Sequence, residues 1–370
     1  MVSIDGVVLD VSAVHPLAGG GHTYAHMLSR HLPSVGIDPW CLTRRRDSSH
    51  SWDGRRTLAV VPDRRPVRLV WEQTALLATL TRRFPDARVL HGVHYTMPER
   101  PRQRRLARIV TVHDLTFFTH PAQHSRSKRT LFRRAIRVAA QRADHLICVS
   151  DQTADDLVRL VDVRVPIEVI PHGIDLTHFS PVEPHQGHDQ GVLAEFGVNR
   201  PYVLHLGTIE PRKNVQRLLD AVGRLRSSGF ADPDVVLVGG AWPGAREALR
   251  IPADVRVRHL GVVRDNAIPA LLRCAAAVAY PSLAEGFGLP VIEALAAGAP
   301  VVTSAGSVME RLADGAAILV DSEDVNSLAD GIAIALAGDG PRPARRLAVA
   351  GTFDVRTCVD RHAQLYRRYC

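Results

Sequence analysis

The chain predicts a two-domain α/β protein, each domain a doubly wound and largely parallel sheet, and three observations carry that prediction. Its 370 residues are enough for two domains of ordinary size, each with a core of its own. Short apolar runs of strand length alternate with amphipathic helical stretches. Twice, near residues 20 and 286, a Gly-rich turn joins a strand to a helix, the kind of junction where open α/β sheets hold ligands.

The elements follow in order. Val7–Ser12 reads as a first strand, Pro16–His22 as a Gly-rich turn, and the chain from there to about Leu32 as an amphipathic helix. The glycines 19–21 are consecutive and not spaced as G-x-G-x-x-G, which disfavours a dinucleotide-binding dehydrogenase. Val89–Pro98 reads as a strand-end loop in which His91 and His94 are candidates for ligand contact, an acceptor where the reaction has one. Arg108–Leu115 is a strand ending in His113–Asp114, and Asp144–Ser150 is another, with Ser150 placed to cap the next helix. A strand and a Pro-bounded loop, Pro166–Pro181, close the first half. Residues 182–199, polar and Gly/His-rich at first, are expected to be a linker.

The second half restarts at Tyr202–Asn214, a strand followed by Gly207, Thr208 and the adjacent cations Arg212 and Lys213. A basic pair just before a helix start opposes the helix dipole, so these charges call for a ligand. A diphosphate fits, with Arg212 bonding as a fork and Lys213 as a point charge. Val235–Gly240 and Val255–Val263 are further strands. Asp232-Pro-Asp234 has the D-x-D spacing of some metal sites, but a Pro between acids ahead of a strand is a turn signal, and no metal is expected. Ala276–Ser282 and Ala299–Thr303 are buried strands on either side of Glu285-Gly286-Phe287-Gly288-Leu289 and its small-residue helix, and Glu310 opens a helix. Glu285 and Glu293 stand eight positions apart, slightly more than two helical turns, so both can face one ligand. The amides of the turn supply an anion site at a helix N-terminus. Gly286 and Gly288 are expected to let the backbone approach a ligand, while Phe287 and Leu289 anchor the turn. Phe353–Cys370 is an amphipathic helix with Val355, Cys358, Val359, His362 and Leu365 near one face.

Glu285-Gly-Phe-Gly-Leu-Pro-Val-Ile-Glu293-Ala-Leu-Ala-Ala-Gly-Ala-Pro-Val-Val302 resembles the Glu-x7-Glu motif of the retaining family-4 glycosyltransferases, in the form seen in mannosyltransferase-like members. The resemblance covers nearly the whole chain, specific in the second half and looser in the first. It implies the GT-B fold, two Rossmann-like domains facing a central cleft: an acceptor-binding domain at 1–181, a linker at 182–199, a nucleotide-sugar domain at 200–352, and a helix at 353–370 crossing back to the first. It also implies roles. Glu293 takes the ribose hydroxyls and Glu285 the sugar hydroxyls, Gly20 and Gly21 face the diphosphate, His113 of the V-H-D pattern lies beside the transferred sugar, and Val262 meets the nucleobase. Thr208 stands where many relatives carry Arg, His172 where they carry Asn, and Phe353-Asp-Val355 replaces a common Phe-Ser-Trp.

Charge and composition bound the partners. Residues 1–181 hold 26 Lys+Arg against 17 Asp+Glu, a balance of +9, and residues 182–370 hold 20 against 21, a balance of −1. Runs at 44–46, 55–56, 64–65, 82–83, 100–108 and 126–142 carry the excess. Solvated faces are the default for such runs; a phosphorylated acceptor or peripheral contact with an anionic membrane face are the alternatives. Aromatic content of 5% is too sparse for nucleic-acid stacking platforms. No apolar run reaches the ~18 residues of a membrane span, Met1–Asp5 lacks a signal-like basic start, and the expected compartment is the cytoplasm, with peripheral residence at the inner membrane face as the variant. Five scattered cysteines without a C-x-x-C pair suggest neither a disulfide framework nor zinc. The expected reaction is retaining, metal-independent transfer of a sugar, mannose first, from a nucleoside diphosphate sugar to a hydroxyl of a sugar, lipid-linked or small-molecule acceptor. GDP-mannose is the first donor choice and a UDP-sugar the second, with no cofactor. A sugar-nucleotide 2-epimerase of the same fold and a non-catalytic nucleotide-binding subunit are the alternatives.

Overall fold

The computed structural model describes residues 6–14, 19–47, 56–99, 106–198 and 201–370, without the side chain of Arg65. The opening of the first Gly-rich turn (15–18), the basic residues Arg55 and 100–105, and the end of the expected linker (199) lie outside the described residues. The chain divides into two compact units, residues 1–173 with 355–370, and residues 174–354.

The first unit is built on seven parallel strands: β1 (Val7–Asp10), β2 (Trp40–Arg44), β3 (Thr57–Val61), β4 (Val89–Gly92), β5 (Ala107–Val112), β6 (His145–Cys148) and β7 (Ile167–Val169), in the order β3-β2-β1-β4-β5-β6-β7. The order reverses direction between β1 and β4, whose register pairs Val8 with Leu90. Such switch points leave a crevice at the carboxyl ends of the strands. Ile109, Val110, Leu146 and Ile147 are fully buried, consistent with helices covering both faces of a parallel sheet. Ser150 caps the helix Asp151–Leu160 by accepting the Thr153 amide, 3.1 Å away.

The helix Val355–Arg367 belongs to this unit. Its buried side, Val355, Cys358, Val359, Ala363, Leu365 and Tyr366, joins the same apolar cluster as Val7, Leu28 and Val89. Gly173 runs so close to that helix that a Cβ would fall 2.6 Å from the Cα of Val355, so no larger residue fits.

The second unit has six parallel strands: β8 (Tyr202–Leu206), β9 (Asp234–Val238), β10 (Val257–Gly261), β11 (Ala277–Tyr280), β12 (Val301–Ser304) and β13 (Ile318–Val320), in the order β10-β9-β8-β11-β12-β13. Its switch point lies between β8 and β11, where Val203 pairs with Ala277. Ser307 caps the helix Val308–Ala313, which carries Glu310 in its first turn.

The linker expectation needs correction. Residues 174–198 fold with the second unit, and His188–Glu195 is a helix. Asp189 accepts two hydrogen bonds from the Arg273 guanidinium, both at 2.7 Å, and the same guanidinium donates to the Ser180 carbonyl at 2.8 Å. A bidentate pair of this kind fixes a short, weakly amphipathic segment that has little apolar surface to dock with. Part of the N-terminal basic excess also turns inward: Arg44 lies at the end of β2 with its Nε 2.5 Å from Asp47, and Arg108 donates to the carbonyls of Pro98 and Arg142.

Candidate active site

The carboxyl ends of β8 and β11, which flank the switch point of the second unit, hold a compact charged cluster. After β8 the chain passes Gly207 and Thr208 to a single 3-10 turn, Pro211–Lys213, and then Asn214, whose left-handed backbone (φ 60°) opens the helix Val215–Ser227. The Asn214 amide group donates to the carbonyls of Pro281 (3.1 Å) and Ser322 (2.6 Å), which pins this turn to the end of β11. Gly239 makes the approach of β9 possible, since a Cβ there would lie 2.3 Å from the Gly207 carbonyl oxygen.

Glu285 is bound to both cations at once. Its Oε2 is 2.6 Å from the Arg212 guanidinium and its Oε1 is 2.5 Å from the Lys213 ammonium. Arg212 also donates to Glu210 at 2.6 Å and to the Ala284 carbonyl at 2.6 Å. Lys213 donates in addition to the Tyr280 hydroxyl and sits over the Tyr280 ring, 4.7 Å from its centroid. Burial by itself would raise the Glu285 carboxyl, but the adjoining Lys213 and Arg212 outweigh it and hold the group down at about 2. The expectation that both glutamates face one ligand therefore divides: Glu285 is neutralised within the protein, and the cations read as a diphosphate clamp share that carboxylate.

Glu293 has the opposite environment. It is buried on the helix Leu289–Ala296, and no side-chain or backbone group among the described residues donates to its carboxylate. Burial, with the nearby negative Asp265, pushes it up to about 7. Desolvating a carboxyl without a hydrogen-bond partner is costly, so this helix carries a local liability that an incoming hydroxyl donor removes.

Between them, Phe287 is buried edge-to-face against Phe353 at 5.7 Å, and Leu289 is buried. Gly288 has a left-handed backbone (φ 105°), and a Cβ there would lie 2.7 Å from the Met309 side chain. The structure thus requires this glycine for the turn itself and for packing on Met309, where a close approach to ligand was the expected reason. Pro290 lacks an N–H and the Val291 amide is bonded back to the Gly288 carbonyl at 2.9 Å, so the turn offers fewer donors than an ordinary helix start. Val262, just past β10, is 60% exposed beside Gly240. Asp232 and Asp234 are occupied by Arg226 and Arg256, with Arg256 Nε 2.6 Å from Asp234.

Two residues of this site escape a reading of the sequence. His205, fully buried on β8, is hydrogen-bonded through Nδ1 to the Ala279 carbonyl at 3.1 Å and stacks on Tyr280. Its Nε2 is left without a hydrogen bond and lies 3.6 Å from where a Gly207 Cβ would stand. Tyr280 itself anchors Lys213. The available signal was a histidine inside an otherwise apolar five-residue strand, where only a partnered ring is tolerated.

In the first unit, His113 follows β5 and its Nε2 lies 2.7 Å from the Val93 carbonyl. That acceptor puts the proton on Nε2 and leaves Nδ1 as the lone-pair nitrogen. Tyr24 packs edge-on against the ring at 5.2 Å and His172 stacks on it at 5.5 Å. Gly20 and Gly21 form the first turn of the helix Gly20–His31; Gly20 is exposed, and Gly21 lies against Val14 and His94. His91 is corrected as an acceptor contact: Nδ1 is bonded to the Tyr366 hydroxyl and Nε2 to Thr111, both at 2.7 Å, deep in the core. His94 is half-buried, its ring against Tyr95 and Phe132.

Each unit is a parallel doubly wound sheet with a switch point, so the chain is of the class built from two Rossmann-like domains. Among solved structures, the chain matches a sucrose-phosphate synthase from Thermosynechococcus elongatus with a TM-score of 0.74, 21% identity and 99% of each chain covered. It matches Anabaena HepE in complex with UDP and glucose with a TM-score of 0.77, 18% identity, and 98% and 100% covered. These likenesses establish the GT-B fold. Residues 18–178 match the model of Glycosyltransferase Family 4 and residues 200–347 that of Glycosyl transferases group 1. The chain belongs to the family-4 glycosyltransferases.

Among curated relatives, the O-antigen chain mannosyltransferase B of Escherichia coli is 29% identical over 75% of this chain and 74% of its own length. An alpha-maltose-1-phosphate synthase of Mycolicibacterium smegmatis is 35% identical over 63% and 65%, and an MMP alpha-(1->4)-mannosyltransferase of Mycolicibacterium hassiacum is 33% identical over 57% and 49%. The matched stretch thus spans between half and three quarters of these relatives. No helix among the described residues is long and apolar enough to cross a membrane.

Proposed function

We propose that the protein transfers a mannosyl group, with retention of configuration, from a nucleoside diphosphate sugar, GDP-mannose first, to an acceptor hydroxyl. The observation that carries this reading is the pairing at one turn of a cation cluster with a buried, unpartnered glutamate. Glu293 is suited to accept the ribose hydroxyls, and Arg212 and Lys213 to meet the diphosphate. Mannosyltransferases among the relatives support the choice of sugar.

In the reaction the C1–oxygen bond to the diphosphate breaks, and its electron pair leaves with the phosphate. The acceptor oxygen then bonds C1 from the same face, and its proton passes to the departing diphosphate. No protein nucleophile is needed. Negative charge grows on the leaving group, and fixed cations that need no reorganisation stabilise it. Lys213 has three N–H donors and spends two on Glu285 and Tyr280; the third is free to meet a phosphate oxygen. Metal independence belongs to the same proposal, because Arg212 and Lys213 supply the charge a divalent ion would. In the first unit, His113 and the Gly20–Gly21 helix start take the roles the family resemblance gives them, at the sugar and the diphosphate.

The test is release of nucleoside diphosphate from GDP-mannose and from UDP-glucose, with and without sugar acceptors, in the presence of EDTA. Lys213→Ala is expected to lower the rate by about 10²-fold or more, the usual cost of removing one preorganised donor at a developing anion. A Lys213→Ala protein as active as the parent would sink the assignment. A product that is only a C2-epimerised sugar nucleotide would sink the transferase reading.

A further inference from the structure

The first unit holds a second buried glutamate that the reaction above does not use. Glu72 lies on the helix Arg65–Thr74, is 6% exposed, and has one carboxyl oxygen, Oε1, that is fully buried without a hydrogen bond. The carboxyl interacts with the Thr96 hydroxyl. Both residues line a cavity of about 100 Å³, walled on its apolar side by Leu69, Met97, Leu131 and Val138. That is room for several water molecules or for part of a sugar ring.

The cavity is a constructed feature. Gln73 bridges the helix to the loop after β4, donating to the Met97 carbonyl at 3.1 Å and accepting the Glu99 amide at 2.7 Å. Glu99 and Arg134 line the cavity and form a two-pronged ion pair, the second contact 2.7 Å long. Thr96 and Met97 stand just past β4, one of the two strands at the switch point of this sheet, and Asp10 ends the other. Ligands of open parallel sheets bind at that point.

The chemistry of the walls selects the occupant. Glu72 stands beside Asp10 and Glu99, with Arg68 opposing them, and the cations nearby are already engaged, Arg134 by Glu99 and Arg68 by the Ser12 carbonyl, which disfavours a phosphate or carboxylate. A cation gains little here, because Glu99 is already paired with Arg134 and Arg68 faces Glu72. What remains is a neutral group that presents hydroxyls to Glu72 and Thr96 and a C–H face to the leucines and methionine. Resting on the transferase reading, we propose that this cavity is an acceptor subsite that binds a neutral polyol, a sugar ring or cyclitol, through hydrogen bonds to Glu72. Burial, with Asp10 adding to it, pushes the Glu72 carboxyl up to about 8, and in its protonated form it both accepts from and donates to a hydroxyl.

The test uses the full chain and two probes, methyl α-mannoside and myo-inositol. At least one is expected to raise the melting temperature of the parent, and Glu72→Leu is expected to abolish that shift while melting no lower than the parent without probe. With the same probe as acceptor, Glu72→Leu should raise the acceptor KM about tenfold, the usual cost of one lost buried hydrogen bond, with a smaller change in kcat. The ratio of transfer to donor hydrolysis should fall with it, and Glu72→Gln should recover most of the loss. Failure of both probes to stabilise the parent, or an unchanged shift and KM in Glu72→Leu, overturns the proposal. Absence of nucleoside diphosphate release by the parent counts against the transferase reading instead, and the melting experiment still decides the cavity.

Discussion

The two units share one architecture and treat buried polarity in opposite ways. At its switch point the second unit keeps full charges and pairs them, Arg212 and Lys213 against Glu285 and Glu210. The first fills its centre with neutral rings and hydroxyls: Tyr24 is bonded to Thr111 at 2.9 Å and to His362 at 2.8 Å, and His91 bridges Thr111 and Tyr366. A buried ion pair is stable only while both partners are charged, and a buried imidazole network only while its members are neutral. The difference teaches that one domain is vulnerable to loss of charge and the other to gain of it.

Acid should separate them most strongly. Burial lowers His91, His113 and His172 below the usual imidazole value, His94 to about 3 and His362 to about 4. Each of these rings, all in the first unit, binds a proton more readily unfolded than folded. Stability is therefore complete above about pH 6.5 and falls below it, and for His94 and His362, whose values drop to about 3 and about 4, the loss runs on toward pH 4 at about 1.4 kcal/mol per ring per pH unit. Glu72 works the other way, since its carboxyl is raised and its penalty shrinks as pH falls toward 4.5. Five imidazoles outweigh it. The second unit has His205, lowered to about 4, opposed by Glu293, so it should lose little over the same window. Hydrogen exchange at pH 7 and pH 5 is expected to show protection collapsing in 6–173 and 355–370 first, and uniform loss would break the contrast.

The next largest effect lies at the two ends of one turn. Glu285→Leu strands the buried Lys213 ammonium and leaves Arg212 with Glu210, and should destabilise by about 3–5 kcal/mol, whereas Glu293→Leu removes an unpartnered carboxyl and should melt at or above the parent, stabilised by about 1 kcal/mol. Donor affinity should fall in both. Thermal melts with and without nucleoside diphosphate check this, and equal destabilisation by both changes would erase the distinction drawn between the two glutamates.

The smallest effect sharpens the comparison from outside. Asp232→Asn weakens an exposed pair with Arg256 and a second with the largely buried Arg226 and should cost about 1–2 kcal/mol, with donor hydrolysis unchanged in the presence or absence of magnesium. Any metal-linked loss of rate would reopen the D-x-D reading.

Much of this was legible beforehand because strand periodicity and helix starts are local. Tyr202–Leu206, Ala277–Tyr280 and the turn after Glu285 could be read from apolar runs and glycines, and the neighbourhood of Arg212, Lys213 and Glu285 from charge at strand ends. What was hidden depended on pairing across the fold. Glu285 was read as facing a ligand because its partners lie 72 and 73 positions away in sequence, and Glu72 went unread because nothing local to it shows that its helix buries the carboxyl. The helix His188–Glu195 was missed since Asp189 needs Arg273 to fix it, and β2 and β3 because Arg44-Arg-Arg46 reads as a solvated basic run.

The helix Val355–Arg367 also bears on the order of assembly. Domains generally fold as units while the chain is being made, the N-terminal one first, at roughly 5–20 residues per second. Here the first unit leaves the ribosome with the places of Val359, Leu365 and Tyr366 in its core empty, and residues 174–354, which form a continuous unit, emerge before those places can be filled. The later-made unit is the one able to finish first. The earlier one waits for roughly ten seconds or more with its histidine-lined interior open to water, a period in which a chaperone has its natural opportunity to act.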